Sequence, residues 1–331
     1  MVAKRISIWT LFPLMFLVCF AVSISFAQAN GANVHIIHRV QPTDSTEGAK
    51  QTKPTPLKVD VDLVQIPVTV TDDRDRLVIG LQQTNFSIYD RTDPQLIRNF
   101  STDDAPISLG ILFDVSSSMY GKIEESSQSV VQVLRDANPQ DEFFLITFND
   151  RPELRVDFTT SVEEIQNEIS KVKPDGTTAL LDAVYLGLDE MRHAHHERRA
   201  LLIVSDGGDN HSRYGAKEVW SVLLEAGVQV YAMGIFDEAP RTKAERNGPD
   251  LLSAITAVSG GRTFAIHSLK KIREAANELS RELRNQYLVA YHPSNLVHDG
   301  KWHKVRVRVT PSQNSRKLRV YAKSGYYAPS H

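Results

Sequence analysis

From residue 107 onward, short apolar runs alternate with longer stretches of helical spacing. Ile107–Phe113, Phe143–Phe148, Leu201–Val204 and Val228–Ala232 are nearly unbroken apolar segments, as expected of strands whose sheet is covered on both faces. Between and after them, apolar positions at helical intervals predict helices over about 123–134, 180–191, 216–225 and 251–258, then a long one ending near 285. Strand then helix, repeated, predicts an α/β unit with a Rossmann-like, doubly wound, mostly parallel sheet.

The flanks have a different period. Val59, Val61 and Leu63, then Ile66, Val68 and Val70, follow a two-residue alternation, and Thr71–Asp75 reads as a turn. Leu77–Ile79 and Phe86–Tyr89 continue the strand signal. Near the other end, Val305, Val307 and Val309 alternate with polar residues. A polar turn spans 312–315, and Leu318, Val320 and Ala322 complete an expected hairpin. Neither flank has enough strands to stand alone. The two are therefore expected to pair into one small β-sandwich, with the α/β unit inserted between them. The expected layout is a β-rich segment at 58–104, the α/β unit at 105–292 and the closing β segment at 293–331.

Upstream, residues 30–57 are polar and contain Pro42, Pro54 and Pro56, which predicts a flexible linker. Residues 1–29 predict a signal peptide. Lys4 and Arg5 precede an apolar stretch that ends at Ala27-Gln28-Ala29, a small-x-small cleavage signature. The mature chain is then expected to be secreted, or held in the periplasm or cell envelope, with no stable membrane span. The single cysteine, Cys19, falls inside this segment, so a mature chain starting after residue 29 has neither a disulfide nor a thiolate ligand.

Composition adds little but exclusions. The 331 residues are 41% hydrophobic and 24% charged, enough to bury a full core. The net charge of −2 supplies no global field for nucleic acid, and none is expected as a partner.

The candidate chemistry sits where strands lead into helices, the usual ligand position in such sheets. Three polar loops qualify: Asp114-Val115-Ser116-Ser117-Ser118, Asp175-Gly176-Thr177-Thr178 and Ser205-Asp206-Gly207-Gly208-Asp209-Asn210. Hydroxyl and carboxylate oxygens are hard donors, suited to Mg²⁺, Mn²⁺ or Ca²⁺. Ser116 and Ser118, two apart in an extended loop, can face one ion together. Asp209 reads as a solvated loop residue and Asp182 as a support. His193, His195 and His196, among Arg192, Glu197, Arg198 and Arg199, read as a solvated charged surface.

These loops resemble the metal-ion-dependent adhesion site of von Willebrand factor A domains, an Asp-x-Ser-x-Ser motif with a distant Thr and a distant Asp. The resemblance implies metal ligation by Asp114, Ser116, Ser118, Thr178 and Asp206. Thr178 is chosen over Thr177 because the family's Thr stands four residues before the Asp of Asp-Ala, here Asp182. With the flanking strands and the ending Gly325-Tyr326-Tyr327, residues 59 to 328 look like secreted bacterial "VWFA-related" proteins best known from Acidobacteria. What this implies is a bound divalent cation, Mg²⁺ first and Mn²⁺ or Ca²⁺ next. A carboxylate from a protein or surface ligand would complete its coordination without chemical turnover.

Two other functions compete. A metal-dependent phosphatase of the haloacid-dehalogenase type would need an Asp two residues after Asp114, where Ser116 stands. No Gly-x-Ser-x-Gly elbow surrounds Ser116 or Ser118, which disfavours a serine hydrolase. The second is a scaffold in which the ion only stiffens the loops.

Overall fold

The computed structural model describes residues 63–328, except 241, 296, 298 and 311–316. The expected signal peptide, the linker and the strand positions Val59 and Val61 lie outside the described residues.

In β1 (Val64–Thr71), Val64, Ile66, Val68 and Val70 are buried and form one face of a core. Its other face is not free, since Thr69 and Thr71 are buried as well. The segment 77–79 is not the strand its apolar residues suggest. Asp72 accepts hydrogen bonds from the backbone N–H groups of Arg74 and Arg76 and grips the Arg76 guanidinium, which turns the chain sharply. Leu77 then makes a single bridge to Thr71, and Ile79 is left 66% exposed. β2 (Phe86–Asp90), β3 (Asp93–Gln95) and β4 (Ile97–Ser101) complete the N-terminal flank.

β5 (Ile107–Asp114) is buried at every position. α1 (Ile123–Arg135), β6 (Glu142–Phe148), β7 (Pro152–Thr159) and α2 (Val162–Ile169) follow. Next come α3 (Leu180–Glu190), β8 (Arg198–Ser205), α4 (Ala216–Ala226) and β9 (Gln229–Ile235). α5 (Lys243–Ser259), β10 (Thr263–Ile266) and α6 (Ile272–Arg284) close the unit. The sheet order is β10-β9-β8-β5-β6-β7. Every neighbouring pair is parallel except β6 with the edge strand β7.

Alternation along the buried strands divides the core in two. Ile111 and Phe113 of β5 pack with Val130, Leu134, Ile165 and Leu279, so α1, α2 and α6 cover one face. Leu112 packs with Leu180, Val184, Leu223 and Leu252, so α3, α4 and α5 cover the other. Each such side chain is worth roughly 1.5–3 kcal/mol relative to exposure. The sheet order reverses at β5, because the chain passes first to β6 on one side and later to β8 on the other. The carboxyl end of β5 therefore opens into the crevice typical of such a switch point, and Asp114 stands there.

β11 (Tyr287–Tyr291) pairs with β1 and β4 and not with the six-stranded sheet, so by hydrogen bonding the α/β unit ends with α6. β12 (Trp302–Val309), β13 (Arg319–Ala322) and β14 (Gly325–Tyr327) are the last strands. The two flanks form a sandwich of two antiparallel sheets, β13-β1-β11-β4 and β14-β12-β2-β3, around one core. The expected C-terminal hairpin does not form. β12 pairs with β2 and β14, while β13 crosses to the other sheet and pairs with β1. A two-residue period marks one buried face but does not name the partner strand.

Among the described residues, no helix is long and apolar enough to cross a membrane.

Candidate metal site at the carboxyl end of the sheet

Asp114 ends β5 and is fully buried. One carboxylate oxygen accepts the Ser116 backbone N–H at 2.8 Å, and the other accepts the Ser205 hydroxyl at 2.5 Å. These bonds fix its rotamer and tie the ends of β5 and β8 together. Burial, and next the charge of nearby Asp206, push the Asp114 pKa up to about 7, against the lowering effect of the hydrogen bonds from Ser116 and Ser205. Ser116 and Ser118 bring their hydroxyl oxygens to 3.1 Å from each other. A short 3-10 turn, Ser117–Met119, follows Ser116 and anchors on the buried Met119.

The other two loops close on this one through backbone bonds. The Asp175 N–H donates to the Val115 carbonyl at 2.8 Å, and the Ser117 N–H donates to the Gly176 carbonyl at 3.1 Å. Thr178 is buried, and its carbonyl accepts from the N–H groups of Asn210 and His211. Its own N–H donates to the Asn210 side-chain oxygen at 2.9 Å. The hydroxyl of Thr177 instead points to Asp150. Four of the five residues, Asp114, Ser116, Ser118 and Asp206, thus lie together by side-chain contact or charge, and Thr178 joins them through its loop backbone.

Asp206 is 3% exposed. One of its oxygens accepts the Gly208 N–H at 3.1 Å. The other is buried without a hydrogen-bond partner, a costly state for a carboxylate oxygen. Its nearest cation is the Lys122 ammonium at 3.7 Å, too far for a hydrogen bond. Lys122 is itself held by Asp237 at 3.0 Å and by the Ile235 carbonyl at 3.4 Å. Two buried carboxylates, one of them with an unsatisfied oxygen, and two adjacent hydroxyls make a hard, anionic donor set that fits an oxygen-loving divalent cation.

Close backbone packing sets the Asp206 loop. Gly207 has φ +75°, and a Cβ there would lie 2.6 Å from the Gly248 carbonyl of α5. A Cβ on Gly248 would lie 2.3 Å from the Asp206 carbonyl.

Supporting residues surround the set. Asp209 is not a freely solvated loop residue. It accepts the Leu180 N–H at 3.1 Å and the Ser212 hydroxyl at 2.6 Å, so it caps the start of α3. Asp182 accepts the N–H groups of Arg213 and Tyr214 and braces the chain after the Asp206 loop. His195 and His196 face separate partners, Glu142 and the Gln140 carbonyl. Sequence reasoning did not single out Ser205, Lys122 or Asp237. Ser205 could have been found as the strand-end hydroxyl beside Asp206, but nothing in the sequence links Lys122 to Asp237.

Residues 109–208 match the family model of the von Willebrand factor type A domain, which spans β5 through the start of the Asp206 loop. The chain contains a domain of this type. No curated protein matches it. Among solved structures, the chain is similar to BatB from Bacteroides thetaiotaomicron, at 17% identity over 54% of this chain and 100% of that one, with TM-score 0.44. A von Willebrand factor type A protein from Catenulispora acidiphila gives 10% identity over 78% and 73%, with TM-score 0.49. Proximal thread matrix protein 1 from the mussel byssus, with a zinc-occupied MIDAS motif, gives 20% identity over 58% and 48%, with TM-score 0.46.

Proposed function

We propose that this chain is an exported binding protein that captures a partner's carboxylate through a divalent cation held by Asp114, Ser116, Ser118, Thr178 and Asp206. The observation that carries the reading is the buried Asp206 oxygen with no hydrogen-bond partner, beside the buried carboxylate of Asp114. A site built only for stability would leave neither that oxygen unsatisfied nor two carboxylates so close.

When bound, the cation supplies an electrophilic position for an outside oxygen. The chain's residues do the rest. The hydroxyls of Ser116 and Ser118, 3.1 Å apart, would together hold the ion, and the Ser205 hydroxyl and Ser116 N–H hold Asp114 in place. Tyr120, two residues after Ser118, is 83% exposed and offers an aromatic contact to a partner. The cation is Mg²⁺ in this reading, with Mn²⁺ and Ca²⁺ as close alternatives, and the partner is a protein or surface polymer bearing Asp or Glu. Residues 1–29 direct export in this reading.

Isothermal titration of the purified mature chain with Mg²⁺, Mn²⁺ and Ca²⁺ tests the site. Single-site binding is expected, lost by at least tenfold in Asp114→Ala and Ser116→Ala while circular dichroism is unchanged. Equal affinity in the variants would refute the ligand set. A phosphate ester hydrolysed in Mg²⁺, with turnover abolished by Asp114→Asn, would replace adhesion by catalysis.

A further inference from the structure

The amino ends of the central strands, opposite the metal rim, carry a second feature. A cleft of about 530 Å³ opens where β5, β8 and β9 begin, with the sandwich as its other wall. Leu223, Val228 and Val258 line it from the α/β unit, and Leu288, Trp302 and Tyr326 line it from the sandwich. A cleft of this size with mainly apolar walls matches the usual dimensions of small-molecule sites. At its mouth Val297 is 45% exposed and Tyr327 38% exposed, so apolar surface continues out to solvent.

The charges around it are unevenly committed. Arg198 donates three of its five N–H groups to the carbonyls of Ala105 and Leu283 and to the Gln286 side chain, and lies 3.9 Å from the Asp104 carboxylate. Arg199 donates to the His196 carbonyl, and Glu197 is exposed. Lys323 differs. Among the described residues no carboxylate pairs with it, and burial alone pushes its pKa below the ordinary lysine value. Its backbone packs against the left-handed Gly260 that ends α5, where a Cβ would lie 2.3 Å from the Lys323 backbone nitrogen. An ammonium taken partly out of water without a partner is costly, and an anionic ligand would remove that cost.

We propose that this cleft binds a small amphiphilic carboxylate, with its apolar part between the Leu223–Val258 and Leu288–Trp302 walls and its acid group on the Lys323 ammonium. A lysine presents one compact positive charge, which suits a singly charged carboxylate. A doubly charged phosphate would call on a guanidinium fork, and the Nη2 side of Arg198 is already committed to Leu283 and Gln286. The site is independent of the metal reading, since it shares no residue with the rim.

The test is calorimetric titration of the mature chain with decanoate, beside decanol and decyl phosphate. Decanoate is expected to bind at micromolar concentrations, at least tenfold more tightly than decanol and no more weakly than decyl phosphate. Lys323→Met should weaken decanoate at least tenfold, and Lys323→Arg should stay within about threefold of the parent. Val297→Asp, an exposed change at the mouth that leaves the core untouched, should repel the anion and weaken it at least tenfold. That variant decides the matter if Lys323→Met does not fold. No decanoate binding below millimolar, or full affinity in a folded Lys323→Met, would overturn the site. Tenfold tighter decyl phosphate would overturn the ligand class.

Discussion

Lys122 places a fixed positive charge beside the oxygen that the proposed ion would claim. Its side chain is 9% exposed and lies 3.7 Å from the unsatisfied Asp206 oxygen, against 3.0 Å from Asp237, which is half exposed. Without a cation, the lysine offsets part of the repulsion between Asp114 and Asp206. With one, it repels the newcomer. Lys122→Met should therefore lower the metal-free stability by about 3 kcal/mol, the usual cost of leaving a buried charge without its partner. Saturating Mg²⁺ should restore most of the loss, and the Mg²⁺ affinity should rise severalfold. Thermal melts with and without Mg²⁺, together with calorimetry, measure both. Unchanged melting in the metal-free state would count against this role. No sequence pattern pointed to Lys122, which stands just before an amphipathic helix like any solvated lysine. Its neighbour Asp237 arrives only because β9 ends there.

At the scale of elements, α5 supports the Asp206 loop by close backbone contact. Gly248→Ala would put a methyl group 2.3 Å from the Asp206 carbonyl, and neither backbone can yield cheaply. The substitution should cost about 1–3 kcal/mol of stability and weaken divalent-cation binding at least tenfold, read by denaturant unfolding and calorimetry on the folded fraction. A variant with parental cation affinity would show that the loop does not depend on this contact. The same helix marks where the sequence was hard to read. Its apolar period starts near Leu251, but the helix begins at Lys243, capped by Thr242 with Glu245, and its first two turns are polar and include Gly248 and Pro249. β7 escaped notice for a related reason. It is an edge strand on which only Val156 is buried, so no alternation shows. The central strands were legible because burial on both faces leaves them almost wholly apolar. The pairing of β12 and β13 was not legible, since their alternation fits either sheet.

At the scale of the whole molecule, the two described flanks of the α/β unit are joined in the sandwich. Val64 stands opposite Tyr291 in one sheet, and Phe86 stands opposite Val309 in the other. Their shared core contains Ile66, Val68 and Ile88 from the first flank and Val289, Tyr291 and Val305 from the second. Removing residues 302–331 should strip β2 of its main partner and leave Phe86 and Ile88 exposed. The truncated chain should aggregate or be cut rapidly within 63–101, while the α/β unit stays resistant, as limited proteolysis with mass spectrometry would reveal. Equal resistance throughout would mean that the first flank folds alone.

This arrangement also sets an order of events as the chain emerges, first flank leading. β1 to β4 are made first, yet their partners are among the last strands to emerge, and such distant pairings form slowly. The α/β unit, whose contacts follow chain order more closely, can close while the first flank still carries open strand edges. An emerging chain is therefore most exposed to clumping or to chaperone capture late in its passage, until the stretch ending at Tyr327 is free to complete the seam.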